Sequence, residues 1–272
     1  MSGHPRIARD QVVLITGGTR GIGLATAEVF AAHGAQTVLT YKWGSADDAE
    51  VSRRIVAAGG PEPLLVQADI GREEDTVALV DLVKERFGRV DTFVSNASAA
   101  LVVNAMDDYA WRGFLKSMQY AAWPAFGYLR AMKAQLGRYP KYVVIMSSDG
   151  PDRFTPGYDF VAAAKAVTET LTRYLAYRLR DDDVRIKRRA VACGEDRLVR
   201  RHLRHGVLRV PPNVRPRVVG DDTRGGWARG VRALQRPVRR RERAGDHGRP
   251  GQHLRRWHLV HLRASRGTGT LR

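Results

Sequence analysis

A chain of 272 residues is long enough to bury the core of one large α/β domain, and its single cysteine, Cys193, excludes an intramolecular disulfide framework and fits a reducing compartment. The formal charge of +18 is unevenly spread: residues 187–272 hold 24 basic and 6 acidic side chains, whereas residues 1–186 hold 22 of each. The basic balance that ordinarily points to nucleic acid therefore describes the tail alone. No apolar run precedes the first strand-like segment, and none approaches the roughly 20 residues of a bilayer span. The expectation is a cytoplasmic protein with no membrane partner.

Along residues 1–186 short β-branched runs alternate with amphipathic stretches. Strands are predicted at 11–16, 37–41, 63–68, 90–95 and 142–147, and helices at 21–33, 46–58, 72–87, 108–136 and 157–180. Residues 182–186 read as the entry to a sixth strand. Strict alternation of this kind predicts right-handed βαβ units, hence a Rossmann-like doubly wound parallel sheet in a three-layer α/β/α sandwich. The front, 1–186, is read as one dinucleotide-binding and catalytic domain.

Between the first strand and first helix lies Thr16-Gly17-Gly18-Thr19-Arg20-Gly21-Ile22-Gly23. Glycines at such a junction let the backbone turn tightly and approach a pyrophosphate, whose charge is met by the helix N-terminus. A plain glycine-rich turn is the alternative. At the end of the second strand stand Thr40-Tyr41-Lys42, with no acid to bind ribose hydroxyls. Arg20 and Lys42 together suit a 2′-phosphate and favour NADP(H) over NAD(H), although either alone is ordinarily a solvated charge.

The octet TGGTRGIG resembles the TGxxxGxG pattern of the short-chain dehydrogenase/reductase family, and the resemblance runs through residues 11–186. It includes Asp69 and Ile70 (in ADI, where the family places a carboxylate near the adenine) and Asn96-Ala97 (in SNAS, against the family's NNAG). The departures at Ser95 and Ser98 leave Asn96 the secure member. The resemblance thus implies a cofactor site formed by Thr16, Gly17, Thr19, Arg20, Gly21, Ile22, Gly23, Tyr41, Lys42, Asp69, Ile70, Asn96, Ala97 and Lys165.

At the catalytic end the family's usual Tyr-x3-Lys would put tyrosine at position 161, where this chain has Val161. Tyr158 stands seven residues before Lys165, in YDFVAAAK. Residues i and i+7 share a helix face two turns apart. The Tyr-x6-Lys spacing resembles the enoyl-acyl-carrier-protein reductase branch. The resemblance implies that Tyr158 stabilises the enolate oxygen of a reduced enoyl thioester, that Lys165 binds the nicotinamide ribose and lowers the tyrosine pKa, and that Ser148 is a second oxyanion donor. The family's catalytic asparagine would fall at position 118, occupied here by Met118. That loss argues against reduction of a ketone, the near alternative, in which a polyketide-like or other carbonyl is the substrate.

An acyl-carrier or CoA thioester is the implied partner and a homotetramer the implied assembly. Phe154, Tyr158 and Phe160 are candidates for an acyl pocket or for plain packing. Trp111, Trp123 and Phe126 are read as core or subunit interface. His4 and His33 lack the spacing of metal ligands, and no metal is expected.

From Lys187 the alternation is expected to stop, and the last 86 residues read as aberrant and Arg-rich. One reading is an arm that binds nucleic acid. The other, preferred here, is a one-base slip at codon 187 in GC-rich DNA. Displaced by one base, the tail can spell segments resembling the family's sixth strand and substrate loop and, over 222–251, its last helix and terminal strand. An inactive product is then expected if the chain exists as written.

Overall fold

The computed structural model describes residues 8–42 and 47–191; the tail beyond 191, and with it every expectation placed there, lies outside the described residues, as do His4 and Cys193. In chain order the elements are β1 (Val12–Ile15), α1 (Gly21–Ala32), β2 (Gln36–Tyr41), α2 (Asp48–Ala57), β3 (Leu64–Gln67), α3 (Glu73–Phe87), β4 (Thr92–Ser95), a 3-10 turn (Met106–Asp108), α4 (Trp111–Ala121), α5 (Pro124–Leu136), β5 (Tyr142–Ser148), α6 (Asp159–Arg178) and β6 (Arg185–Val191). The strands form one six-stranded sheet in the order β3-β2-β1-β4-β5-β6, with every neighbouring pair parallel. This is the Rossmann-like α/β fold that the alternation predicts.

Strand periodicity divides the core. Val12 and Leu14 face one layer with Phe93, Val143 and Ile145, against Leu79 and Val83 of α3, Leu129 and Met132 of α5, and the half-buried Leu175 of α6. Val13 and Ile15 face the other layer with Leu39 and Val94, against Leu24 and Phe30 of α1 and Val51 and Ile55 of α2. Strand order reverses between β1 and β4, the topology that in open α/β sheets forms a crevice at the strands' carboxyl ends. A crevice at such a switch point is where open α/β sheets take their ligands.

Three sequence expectations need correction. The stretch 108–136 is not one helix: α4 ends at Ala121 and α5 begins at Pro124. Proline lacks an N–H and clashes with the preceding turn, so it cannot continue a helix but suits the first position of a new one. Trp111 and Trp123 are 72% and 49% exposed and so do not belong to the core of the chain, whereas Phe126 packs against it. Nor does regular structure stop at Ile186. β6 pairs with β5 along its whole length, from Tyr142↔Arg185 to Ser148↔Val191. Its alternation places Ile186 against the core and Arg188 against Glu169 of α6, while Arg185 lies over the Tyr142 ring. A basic strand is accepted here because backbone pairing is independent of side chain and Arg188, although exposed, meets a carboxylate.

Candidate active site

The crevice is knitted together by Thr16 and Asn96, the residues that follow β1 and β4. The Thr16 hydroxyl oxygen accepts from the backbone N–H of Asn96 and of Ala97, both at 3.0 Å. The Asn96 amide in return donates to the carbonyls of Thr16 at 3.0 Å and Gly17 at 3.1 Å. A third tie comes from β2, whose Thr40 accepts from the N–H of Gly17 and Gly18. Thr19, within the loop, is buried.

The glycines of this loop answer two different demands. Gly17 and Gly21 have φ of 63° and 54°, the left-handed region that side chains disfavour. Gly23 is needed for space: a Cβ there would collide with the Gly17 carbonyl oxygen and come within 2.7 Å of Asn96 Nδ2. The first turn of α1 is therefore packed under the loop by backbone alone. Arg20 caps α1 in an extended conformation without a side-chain hydrogen bond, and no acidic residue lies in the first turn. Ile22 is half-buried and Arg20 and Gly21 are exposed. A close-packed glycine cradle opening on an uncapped helix start fits the pyrophosphate of a dinucleotide.

The adenine end carries its own charges. Lys42 follows β2 and Asp69 follows β3, and the two side chains form an ion pair. The Tyr120 hydroxyl of α4 donates to Asp69 at 3.1 Å and accepts from Lys42 at 3.3 Å, with the ammonium 4.7 Å from its ring centre. Gly71 N–H donates to the other carboxylate oxygen at 2.9 Å. Burial pushes the Asp69 pKa upward, but Lys42, the Gly71 N–H and the Tyr120 hydroxyl outweigh it and hold the carboxyl below its ordinary value. Burial likewise works against the Lys42 charge, yet Asp69 and Tyr120 raise its pKa overall. Tyr41, beside them, bonds outward to Asp48 at 3.3 Å, and Ile70 packs against the core.

Tyr120 was not legible as a site residue. It lies 51 positions from Asp69 on a helix whose functional signal was expected at 118. Gly71 leaves room for it: any Cβ there would collide with the Tyr120 ring.

At the catalytic end Ser148 closes β5, Tyr158 caps α6 and Lys165 lies two turns into it. Lys165 is buried, and its ammonium donates to the Met146 carbonyl of β5 at 3.0 Å. Tyr158 is fixed from three sides. Its ring packs on Gly150, where a Cβ would come within 2.7 Å. On either side of it, Gly157 accepts from Val103 N–H at 3.2 Å and Asp159 accepts from the Tyr109 hydroxyl at 2.5 Å. Ser148 Oγ accepts from Gly150 N–H at 3.3 Å, which leaves its own hydrogen to donate. Gly150 thus lies between the two candidate oxyanion donors.

A cavity of about 310 Å³ opens beside Tyr158, walled by residues 150–155, Asp159 and Ala162. Phe154 and Tyr158 line it. Phe160 does not: it is buried, edge-on to Tyr109 and Phe114. Met118 packs with Ala121, Ala122 and Ala164, so the position of the family's asparagine is apolar here. Among the described residues no group of three or more His, Cys, Asp or Glu side chains could hold a metal ion, and no helix is long and apolar enough to cross a membrane.

The family model described as enoyl-(acyl carrier protein) reductase matches residues 17–192. The chain is 36% identical over 171 residues to the 1-cyclohexenylcarbonyl-CoA reductase of Streptomyces collinus, covering 62% of this chain and 59% of that protein. The chain spans roughly half the length of the first curated relatives it matches. Among solved structures, the NADH-dependent reductase A1-R′ responsible for alginate metabolism superposes with a TM-score of 0.61 at 26% identity, over 69% of this chain and 78% of that one. A metagenomic short-chain oxidoreductase in complex with NADP superposes at 0.59 with 26% identity, over 68% and 83%.

Proposed function

The chain belongs to the short-chain dehydrogenase/reductase family, and from that premise we propose that it is an NADPH-dependent reductase of the C=C bond of enoyl thioesters on an acyl carrier or CoA. The observation that carries this reading is the placement of Tyr158 at the start of α6, two turns before Lys165, with Val161 where a ketone-reducing member keeps its tyrosine. The apolar setting of Met118 points the same way. So does the name of the Streptomyces relative, which denotes a conjugated enoyl thioester.

A reduced nicotinamide, when bound, would supply hydride to the β-carbon, and a proton from solvent would complete the reduction at the α-carbon. The cradle from Thr16 to Gly23 receives its pyrophosphate, Asn96 and Ala97 line the crevice floor, and Lys165 holds the ribose. Tyr158 donates a hydrogen bond to the thioester oxygen as negative charge develops there, and Ser148 supplies the second donor. Donors placed before the reaction stabilise an oxyanion without reorganising during it. The cavity beside Tyr158, with Phe154 at its rim, takes the acyl chain.

NADPH rather than NADH is proposed on Arg20, Lys42 and the lack of an acid at the end of β2, where Thr40-Tyr41-Lys42 stand. One solved relative is described with NADP and another with NAD. A homotetramer, a cytoplasmic location and a one-base slip at codon 187 belong to the same proposal, with nucleic-acid binding by the basic tail as the competing use of that segment. The deciding experiment follows NADPH loss with a crotonyl thioester and an acetoacetyl thioester. Turnover of the crotonyl substrate is expected once the reading frame after codon 187 is restored; turnover of the acetoacetyl substrate alone would replace the enoyl reading with a ketoreductase.

A further inference from the structure

We infer that Asp69 is a determinant of nucleotide selectivity because it holds Lys42 in an internal ion pair that a 2′-phosphate has to displace. The inference rests on the NADPH reading of the same crevice but concerns residues of this chain alone. Lys42 and Asp69 follow adjacent parallel strands at one sheet edge: Ala68 N–H donates to the Tyr41 carbonyl at 2.8 Å, one residue before each partner's side chain departs. Tyr120 closes the pair from α4, touching both charges with one hydroxyl. Gln67 holds the Lys42 backbone through its carbonyl at 3.1 Å. The cation that charge counting assigns to the nucleotide is thus already partnered within the protein.

The consequence follows from electrostatics. The Lys42 and Asp69 side chains are 27% and 11% exposed, so their attraction is screened less than that of a fully solvated pair. A nucleotide lacking the 2′-phosphate leaves the pair intact. One carrying it draws Lys42 away and leaves Asp69 with Tyr120 and Gly71. Asp69 thus reduces what Lys42 contributes to 2′-phosphate affinity. Asp69 is therefore a competitor as well as the carboxylate expected near the adenine, and the two roles separate in a ratio, because adenine is common to both ligands.

The test measures binding of 2′,5′-ADP and 5′-AMP to the full chain by calorimetry, with no catalytic turnover. Asp69→Asn keeps an oxygen for the Gly71 N–H while removing the charge. It is expected to raise the affinity ratio of 2′,5′-ADP to 5′-AMP roughly fivefold, the order of a partly exposed ion pair. Lys42→Met lowers the ratio, and in the double variant the gain from Asp69→Asn disappears. A ratio unmoved by Asp69→Asn overturns the inference. So does a gain that survives in the Lys42→Met background, since Asp69 would then act by simple repulsion. A wild-type ratio of one that rises in Asp69→Asn would overturn the NADPH reading and leave the competition standing. Were Asp69→Asn to misfold, Lys42→Met alone decides: an unchanged ratio shows that Lys42 never leaves Asp69, which also overturns the inference.

Discussion

Ser147 donates its hydroxyl to Glu169 at 2.7 Å within the buried interface between β5 and α6, and the same carboxylate oxygen pairs with Arg188 of β6. One acid therefore ties three consecutive elements together. It lies one helical turn beyond Lys165, whose ammonium is bonded to the residue before Ser147. A buried charge stripped of its partner costs far more than the pair is worth. Arg188→Ala is thus expected to destabilise the fold by about 1–3 kcal/mol, discounted because the arginine is partly exposed. Ser147→Ala should cost about 1 kcal/mol. Urea denaturation of the full chain measures both; an Arg188→Ala variant as stable as wild type would show that β6 is not held through Glu169.

Gly23→Ala is expected to weaken nucleotide binding, because a Cβ at that position meets the Gly17 carbonyl and Asn96 and so must open the Thr16–Asn96 junction. The loss of affinity should exceed tenfold, which needs only about 1.4 kcal/mol. Gly21→Ala tests a different cause, since it has positive φ and open space around it. A cost of about 1 kcal/mol in stability is expected there, with a milder effect on binding. Equal effects on binding would show that close packing is not what Gly23 provides.

The sheet and the glycine cradle were legible because each rests on a local rule. Hydrophobic alternation gave the five strands of the front to within two residues, and the positions of Gly17, Gly21 and Gly23 are dictated by backbone geometry. The break at Pro124 was legible in principle, and a continuous helical period across it hid the proline's meaning. Tyr120, Glu169 and Arg188 were not legible: each acts across a packing interface, at sequence separations of 51 for Tyr120 with Asp69 and 22 for Glu169 with Ser147. No periodicity encodes such contacts. Arg188 looked foreign by composition, yet in the fold it is the cation that Glu169 pairs with.

The Lys42–Asp69 pair sets a pH window for stability. Asp69 has its folded pKa lowered, so its contribution is fully present above the unfolded value of about 3.9 and is lost as pH falls through the lower folded value. Lys42 has its folded pKa raised, so its contribution holds below about 10.4 and is lost as pH rises through the higher folded value. Wild type should therefore exceed Asp69→Asn in Tm by a constant margin from about pH 5 to pH 9, with the margin shrinking toward pH 3. A margin that persists unchanged at pH 3 would mean that the carboxylate charge contributes nothing.

Tyr158→Phe isolates the proposed chemistry, because the ring that packs on Gly150 is kept and only the hydroxyl is lost. Its kcat with a crotonyl thioester is expected to fall about 100- to 1000-fold, the usual cost of removing an oxyanion donor, while NADPH affinity stays within about twofold of wild type. Ser148→Ala should lower kcat less, by roughly tenfold, since Tyr158 remains. Lys165→Met differs from both: its ammonium also anchors the Met146 carbonyl, so kcat, nucleotide affinity and Tm should fall together. Full activity in Tyr158→Phe would place the oxyanion donor elsewhere and remove the functional meaning of the seven-residue spacing.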